Sequence, residues 1–192
     1  GTDHIEALTD TFYSKLSAKQ QHHILLLDTK RAFDCLEHNF IHELLKVMGM
    51  AAWVCNMVKG LLHLVRAIPA LAVITGHFIH ILRGVKQGCP LAPLLFVICF
   101  DVLLFKLSVT NRLDLYGFAD DLALGSRSVT LLLKALKAVG EFSSFTGLRT
   151  NAAKSGVVST RPPSASTRSR FEQAGWGEIE FKDRAVYLGM LF

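Results

Sequence analysis

Phe118-Ala119-Asp120-Asp121 stands between two short apolar alternations, Leu113 and Leu115 before it and Leu122 and Leu124 after it. Alternation of this kind reads as two half-buried strands, which puts the aspartates at the tip of a hairpin. Adjacent carboxylates raise one another's pKa or call for a cation, and hard divalent ions such as Mg²⁺ take oxygen ligands of this kind. Taken alone, an Asp-Asp pair is more often a solvated turn.

A second acidic site changes the balance. Ile24-Leu25-Leu26-Leu27 is a continuous apolar run, read as a buried strand, and it ends on Asp28, followed by Thr29-Lys30-Arg31-Ala32-Phe33-Asp34. A strand ending in a carboxylate presents it at the edge of a sheet. Pairing of these distant strands would gather three carboxylates, an arrangement suited to two metal ions about 3.5–4 Å apart that clamp both oxygens of an in-line phosphoryl displacement.

Five blocks in order then resemble the palm of a reverse transcriptase, most similar to those of non-LTR retrotransposons and more distantly to those of group II introns. They are Leu27 to Asp34; Arg83-Gly84-Val85-Lys86-Gln87-Gly88-Cys89-Pro90-Leu91-Ala92-Pro93; Phe118 to Asp121; Gly147-Leu148-Arg149-Thr150-Asn151-Ala152-Ala153-Lys154-Ser155; and Tyr187-Leu188-Gly189. The match covers nearly the whole chain.

The resemblance implies an α+β fold: an antiparallel palm sheet packed on helices, with a remnant of fingers and no thumb. It is expected as a single domain over residues 1–192, truncated at both ends and a poor polymerase by itself. The implied activity is RNA-directed DNA polymerisation with two Mg²⁺ ions, a dNTP, an RNA template and a DNA primer, completed by flanking fingers and thumb of the parent polypeptide. Asp28 and Asp120 are implied as ligands of both metals, Asp121 as a supporting ligand and the Thr29 carbonyl as a backbone ligand. Phe33 matches the steric gate beneath the sugar, Arg31 a triphosphate contact where this group usually carries lysine, and Gln87 and Gly88 the lining of the nascent base pair. Lys154 matches a lysine proposed to protonate pyrophosphate, and Tyr187, Leu188 and Gly189 the primer grip. Phe118 replaces the commoner tyrosine. A group II intron or retron enzyme is the rival reading; a viral RNA polymerase normally carries glycine where Ala119 stands. A silent palm serving as an RNA-binding scaffold is the rival of another class.

Composition agrees with one globular unit. The chain has 192 residues, 51% of them hydrophobic, enough for a sizeable core. A net charge of +5 suits a polyanionic partner and equally an ordinary basic globule. Cys35, Cys55, Cys89 and Cys99 show no Cys-x-x-Cys or zinc spacing and read as reduced thiols of an intracellular protein, nuclear or cytoplasmic. The longest apolar stretch, Leu91 to Phe105, contains Pro93 and Asp101 and is too short for a bilayer, so no membrane contact is expected. The mean hydropathy of +0.34 points to apolar faces that neighbouring domains would cover.

Periodicity predicts further elements. Asp3 caps a first helix with Ile5, Leu8, Phe12 and Leu16 on one face, and His22 and His23 are expected at the surface beside the strand that ends on Asp28. Asn39 opens a helix stopped by Gly49, and a second runs from about residue 52 to 65. Residues 70–74 and 78–82 read as a hairpin, and Gly84 and Gly88 as points of close backbone approach to a ligand. Leu94 to Leu107, apolar almost all round, is expected to be buried; Ser128 opens a helix with Leu132, Ala135, Leu136, Val139 and Phe142 on one side. Gly156 to Ser159 reads as a strand, Arg161 to Arg170 as a loop, and Val186 to Leu191 as a closing strand.

Overall fold

The structure, a computed structural model, describes residues 2–63, 66–67, 79–80, 82–86, 88–110, 112–182, 186–187 and 190–191. Its contacts divide it into two compact units: Gly1–Lys30, Phe100–Phe142 and Thr150–Phe192 form the first, Arg31–Cys99 and Ser143–Arg149 the second. In chain order the helices are α1 (Thr2–Ser17), α2 (Ala32–Cys35), α3 (His38–Val47), α4 (Ala52–His63), α5 (Ala92–Ser108), α6 (Val129–Thr146) and α7 (Ala165–Gln173). The strands are β1 (His23–Leu27), β2 (Thr29–Lys30), β3 (Arg66–Ala67), β4 (Ile79–His80), β5 (Asp114–Phe118), β6 (Asp121–Ser126), β7 (Arg149–Thr150), β8 (Gly156–Ser159), β9 (Glu180–Lys182), β10 (Val186–Tyr187) and β11 (Met190–Leu191).

The first unit is organised by a five-stranded sheet in the order β5-β6-β1-β8-β9. All its pairs are antiparallel except β8 with β9, which is parallel and departs from the fully antiparallel sheet expected. β1 lies in the middle and is buried along its whole length, as a continuous apolar run requires. Its Ile24 and Leu26 join Leu8 and Phe12 of α1, Ala123 and Val158 in one cluster against which Tyr116 packs. Leu25 and Leu27 alternate to the opposite face and are equally buried. Truncating the wholly buried Leu8 to alanine would cost about 2–5 kcal/mol. The predicted stripe of α6 is buried at each of its five positions.

Several expectations are corrected here. His22 and His23 are buried, not superficial: Nδ1 of His23 meets the Ser159 hydroxyl at 2.6 Å and Nε2 of His22 lies 3.2 Å from Asp114. Leu16 of α1 is exposed, and Asp3 falls within the first helical turn. Leu94, Val97 and Phe105 of α5 are exposed despite that helix's apolar composition, whereas burial pushes the Cys99 thiol up to about 12. The stretch from Arg161 to Arg170 is a loop only at first: Ser164 accepts a hydrogen bond from the Thr167 amide and starts α7, which Phe171 anchors in the interior. Val186 to Leu191 is two short strands, Val186 opposite Leu191 and Tyr187 opposite Met190.

In the second unit, α3 and α4 follow the predicted segments within a residue or two, and Gly49 adopts the left-handed conformation expected of a helix stop. Most of the expected hairpin lies outside the described residues; Ile79–His80 pairs with Arg66–Ala67. The close approach at Gly84 is to the chain itself. A Cβ there would come within 2.7 Å of the Asp34 backbone, and the Gly84 amide donates to the Leu36 carbonyl at 2.7 Å. Gly147 likewise sits where a Cβ would reach the Cys35 carbonyl at 2.5 Å. Among the described residues nothing crowds Gly88.

Candidate functional site

Register brings two of the three aspartates to adjoining strand ends. Leu27, the last residue of β1, is paired with Leu122 of β6, so Asp28 leaves β1 where Asp121 begins β6. β5 and β6 close on Phe118 opposite Asp121, which leaves Ala119 and Asp120 as a two-residue turn. Ala119 carries φ of 52°, a left-handed conformation that only glycine adopts without cost. The Thr29 hydroxyl donates to the Asp120 carbonyl at 3.1 Å and ties this turn to the chain beyond Asp28.

Asp28 is held on two sides. Nδ2 of Asn151 donates to its Oδ2 at 2.8 Å, and the Asn151 amide donates to its carbonyl at 2.7 Å. The Ser155 hydroxyl accepts from the Asp28 amide at 3.2 Å and donates to the Asn151 carbonyl at 2.8 Å. Asn151 and Ser155 lie in the fourth motif block with Lys154, and their amide and hydroxyl, four residues apart, are the sequence signal for a hold on Asp28.

Electrostatics link these groups. The Asp121 carboxyl is raised above the ordinary carboxylate range, first by burial, then by Asp120, then by Asp28, while Lys154 pulls it down. The four side chains therefore share one field. Among the described residues no group of three His, Cys, Asp or Glu side chains is placed to hold a metal ion. The donor set is nevertheless carboxylate oxygen, which suits a hard cation in kind, and a cation would relieve the repulsion on Asp121.

The remaining site residues of the sequence reading divide. Tyr187 lies in β10, and Leu188, Gly189 and Gln87 fall outside the described residues. Arg31, Phe33 and Gly88 belong to the second unit. Arg31 is left-handed, with φ of 45° and ψ of 49°, just before α2. The ring of Phe33 stacks on Phe96 at a centroid distance of 4.6 Å. Gly88 is exposed in a left-handed turn.

The profile of the reverse transcriptase (RNA-dependent DNA polymerase) family matches residues 1–192. The chain belongs to that family. Among its relatives is the retrovirus-related Pol polyprotein of a type-1 R2 retrotransposable element from Popillia japonica, 32% identical over 166 residues that make up 79% of this chain and 23% of that one. The type-2 element R2DM of Drosophila melanogaster is 31% identical over 150 residues, 69% of this chain and 13% of its own. This reverse transcriptase segment thus spans a quarter or less of the relatives it matches. Among solved structures, the telomerase of Candida tropicalis in complex with a TWJ fragment of telomeric RNA superposes with a TM-score of 0.67 at 14% identity, covering 85% of this chain and 30% of that one. Candida albicans telomerase, also with a TWJ fragment, gives 0.67 at 13% identity over 100% of this chain and 32% of its own. At such identities the likeness is one of fold, a mixed α+β palm. No helix among the described residues is long and apolar enough to cross a membrane.

Proposed function

We propose that this reverse transcriptase segment is the palm, with partial fingers, of an RNA-directed DNA polymerase that transfers dNMP from a dNTP to a primer 3′-hydroxyl on an RNA template. The observation that carries this reading is the register that brings Asp28 and Asp121 to adjoining strand ends beside the turn at Asp120, where the Asp121 carboxyl is raised first by burial and then by Asp120 and Asp28. Groups held in such repulsion without use would be a liability, and perturbed carboxylates cluster where charge is to be handled. Asp28, Asp120 and Asp121, with the Thr29 carbonyl, would hold two Mg²⁺ ions. When bound, these ions would lower the pKa of the attacking hydroxyl and offset charge on the departing pyrophosphate.

The chain's own residues have the rest of the work. Asn151 holds the Asp28 carboxylate through its side-chain amide and Ser155 holds the Asp28 backbone, so that the carboxylate would meet its cation without reorganising. Lys154 is exposed beside the carboxylates, a cation able to give a proton to the leaving group. Phe33 is assigned to discrimination against the ribose 2′-hydroxyl, Arg31 to the triphosphate, Gln87 and Gly88 to the nascent pair, and Tyr187, Leu188 and Gly189 to the primer end. The test is primer extension on an RNA template with Mg²⁺, using the segment joined to fingers and thumb. Extension that disappears on chelation and in Asp120→Asn supports the assignment; extension that survives the substitution overturns it.

A further inference from the structure

The end of the sheet opposite the aspartates has chemistry of its own. There a cavity of about 610 Å³ is lined by Lys15 of α1, Arg112 and Arg127 at the outer ends of β5 and β6, and the hydroxyl residues Ser126, Ser128 and Thr130. Three cations face one carboxylate, that of Asp114. Arg170 adds a fourth cation at the rim through a 2.7 Å hydrogen bond to the Thr130 hydroxyl. Among the described residues neither Lys15 nor Arg112 has an ion-pair partner, and Arg127 is bonded to the neutral amide of Gln20.

Two further features point to an anionic ligand. α6 begins at the cavity, so the positive end of an 18-residue helix lies there. Independently, the buried His22 lines the same cavity with neither ring nitrogen in a hydrogen bond. Its Nε2 is at ion-pair distance from Asp114 without hydrogen-bond geometry, and its Nδ1 has no partner. Buried polar atoms are nearly always satisfied, and one that is not marks a place where a ligand or water completes the set.

We propose that this cavity binds phosphate groups, gripped by Lys15, Arg112 and Arg127 over the start of α6. Guanidinium forks and hydroxyls match phosphate oxygens, and the excess positive charge fits an oxyanion. The phosphate comes either from the backbone of an RNA strand or from a free polyphosphate. Nothing in this depends on the roles given to the aspartates.

The test uses the 192-residue chain and its Lys15→Gln/Arg112→Gln double variant, checked for a native far-UV circular dichroism spectrum. Binding of a single-stranded RNA of roughly 20 nucleotides is followed between about 50 and 200 mM salt. If the RNA backbone is the source, affinity falls ~10-fold or more, and the slope of log K against log salt becomes shallower by about 1.4, the share of two phosphate contacts. If a free polyphosphate is the source, pyrophosphate displaces the RNA from the parent chain and its own binding is lost in the variant. Unchanged RNA affinity and slope, with no pyrophosphate binding that the variant removes, overturns the proposal. A photo-crosslinkable 4-thiouridine RNA on the unmodified chain guards against a variant that does not fold: cross-links within residues 112–131 support the pocket, and cross-links confined to other segments overturn it.

Discussion

One end of the five-stranded sheet is acidic and the other basic, although the same three strands build both. Asp28, Asp120 and Asp121 stand where β1 ends and β5 turns into β6; Arg112, Asp114, Ser126 and Arg127 stand where β5 begins and β6 ends, with His22 leading into β1. Five residues of strand separate the ends by about 16 Å. That exceeds a Debye length of about 8 Å at physiological salt, so exposed charges at one end barely feel those at the other. A short sheet can therefore carry two opposite electrostatic tasks, provided that its register fixes which residues reach each edge.

The largest effect is expected at the acidic end. Asp120→Asn should lower Mg²⁺-dependent extension by about 10³-fold or more, because it removes a carboxylate assigned to both ions. The fold should be unharmed, since the substitution relieves repulsion on Asp121, and a melting temperature equal to or above the parent's would separate lost chemistry from lost structure. Asn151→Ala comes next. It leaves all three carboxylates in place and frees Asp28 to turn, so activity or apparent metal affinity should fall about 10- to 100-fold. A rise in the Mg²⁺ concentration needed for half activity is the signature of lost positioning, which a purely structural role for Asn151 would not produce.

Backbone strain is found near both ends. Ala119 is left-handed at the acidic tip, with φ of 52°, and Lys19, also at 52°, lies between Lys15 and His22 of the basic pocket. Ala119→Gly should therefore stabilise the chain by about 0.5–1 kcal/mol, the steric relief being reduced by glycine's extra freedom when unfolded. In a chain of this size that is a rise of about 1–4 °C in Tm. A fall in Tm would mean that the turn is held by contacts of the alanine methyl.

Much of the acidic end could be read from the sequence, and little of the basic end. A run of apolar residues ending in Asp28, and alternation on both sides of Asp120-Asp121, are periodic signals that directly specify strands and the residues at their ends. α6 was legible for the same reason, its apolar stripe having a helical period. The basic pocket has no period: Lys15, Arg112 and Arg127 come from three places in the chain and meet only through tertiary packing. His22 and His23 misled because imidazoles next to a strand are commonly solvated, whereas here β1 is covered along its whole length. The α7 helix was hidden by the prolines and serines around it, although the decisive residue, Ser164, was one of those serines. On α5 composition indicated burial, but apolar residues do not ensure a cover, and Leu94, Val97 and Phe105 stand exposed.

The smallest effects should be the pH responses of stability, which run in opposite senses at the two ends. Asp121 has a raised pKa, so between its ordinary value of 3.8 and the folded value the native state binds more protons than the unfolded chain. Stability is lost as pH rises through that window. Asp121→Asn should raise Tm at pH 7 and change it little near pH 3. His23 has a lowered pKa, chiefly from burial and then from His22, so below its ordinary value of 6.5 the unfolded chain binds the extra proton. Here stability is lost as pH falls below about 6.5. His23→Gln, which keeps a polar group near Ser159, should flatten the fall in Tm between pH 7 and pH 5.5 and leave the Asp121 window untouched. The groups facing His23 are His22, the Ser159 hydroxyl and the Gln21 side-chain amide, none of them acidic. If both variants shifted the same window, the two ends would be coupled through the sheet, and the independence inferred from their separation would be wrong.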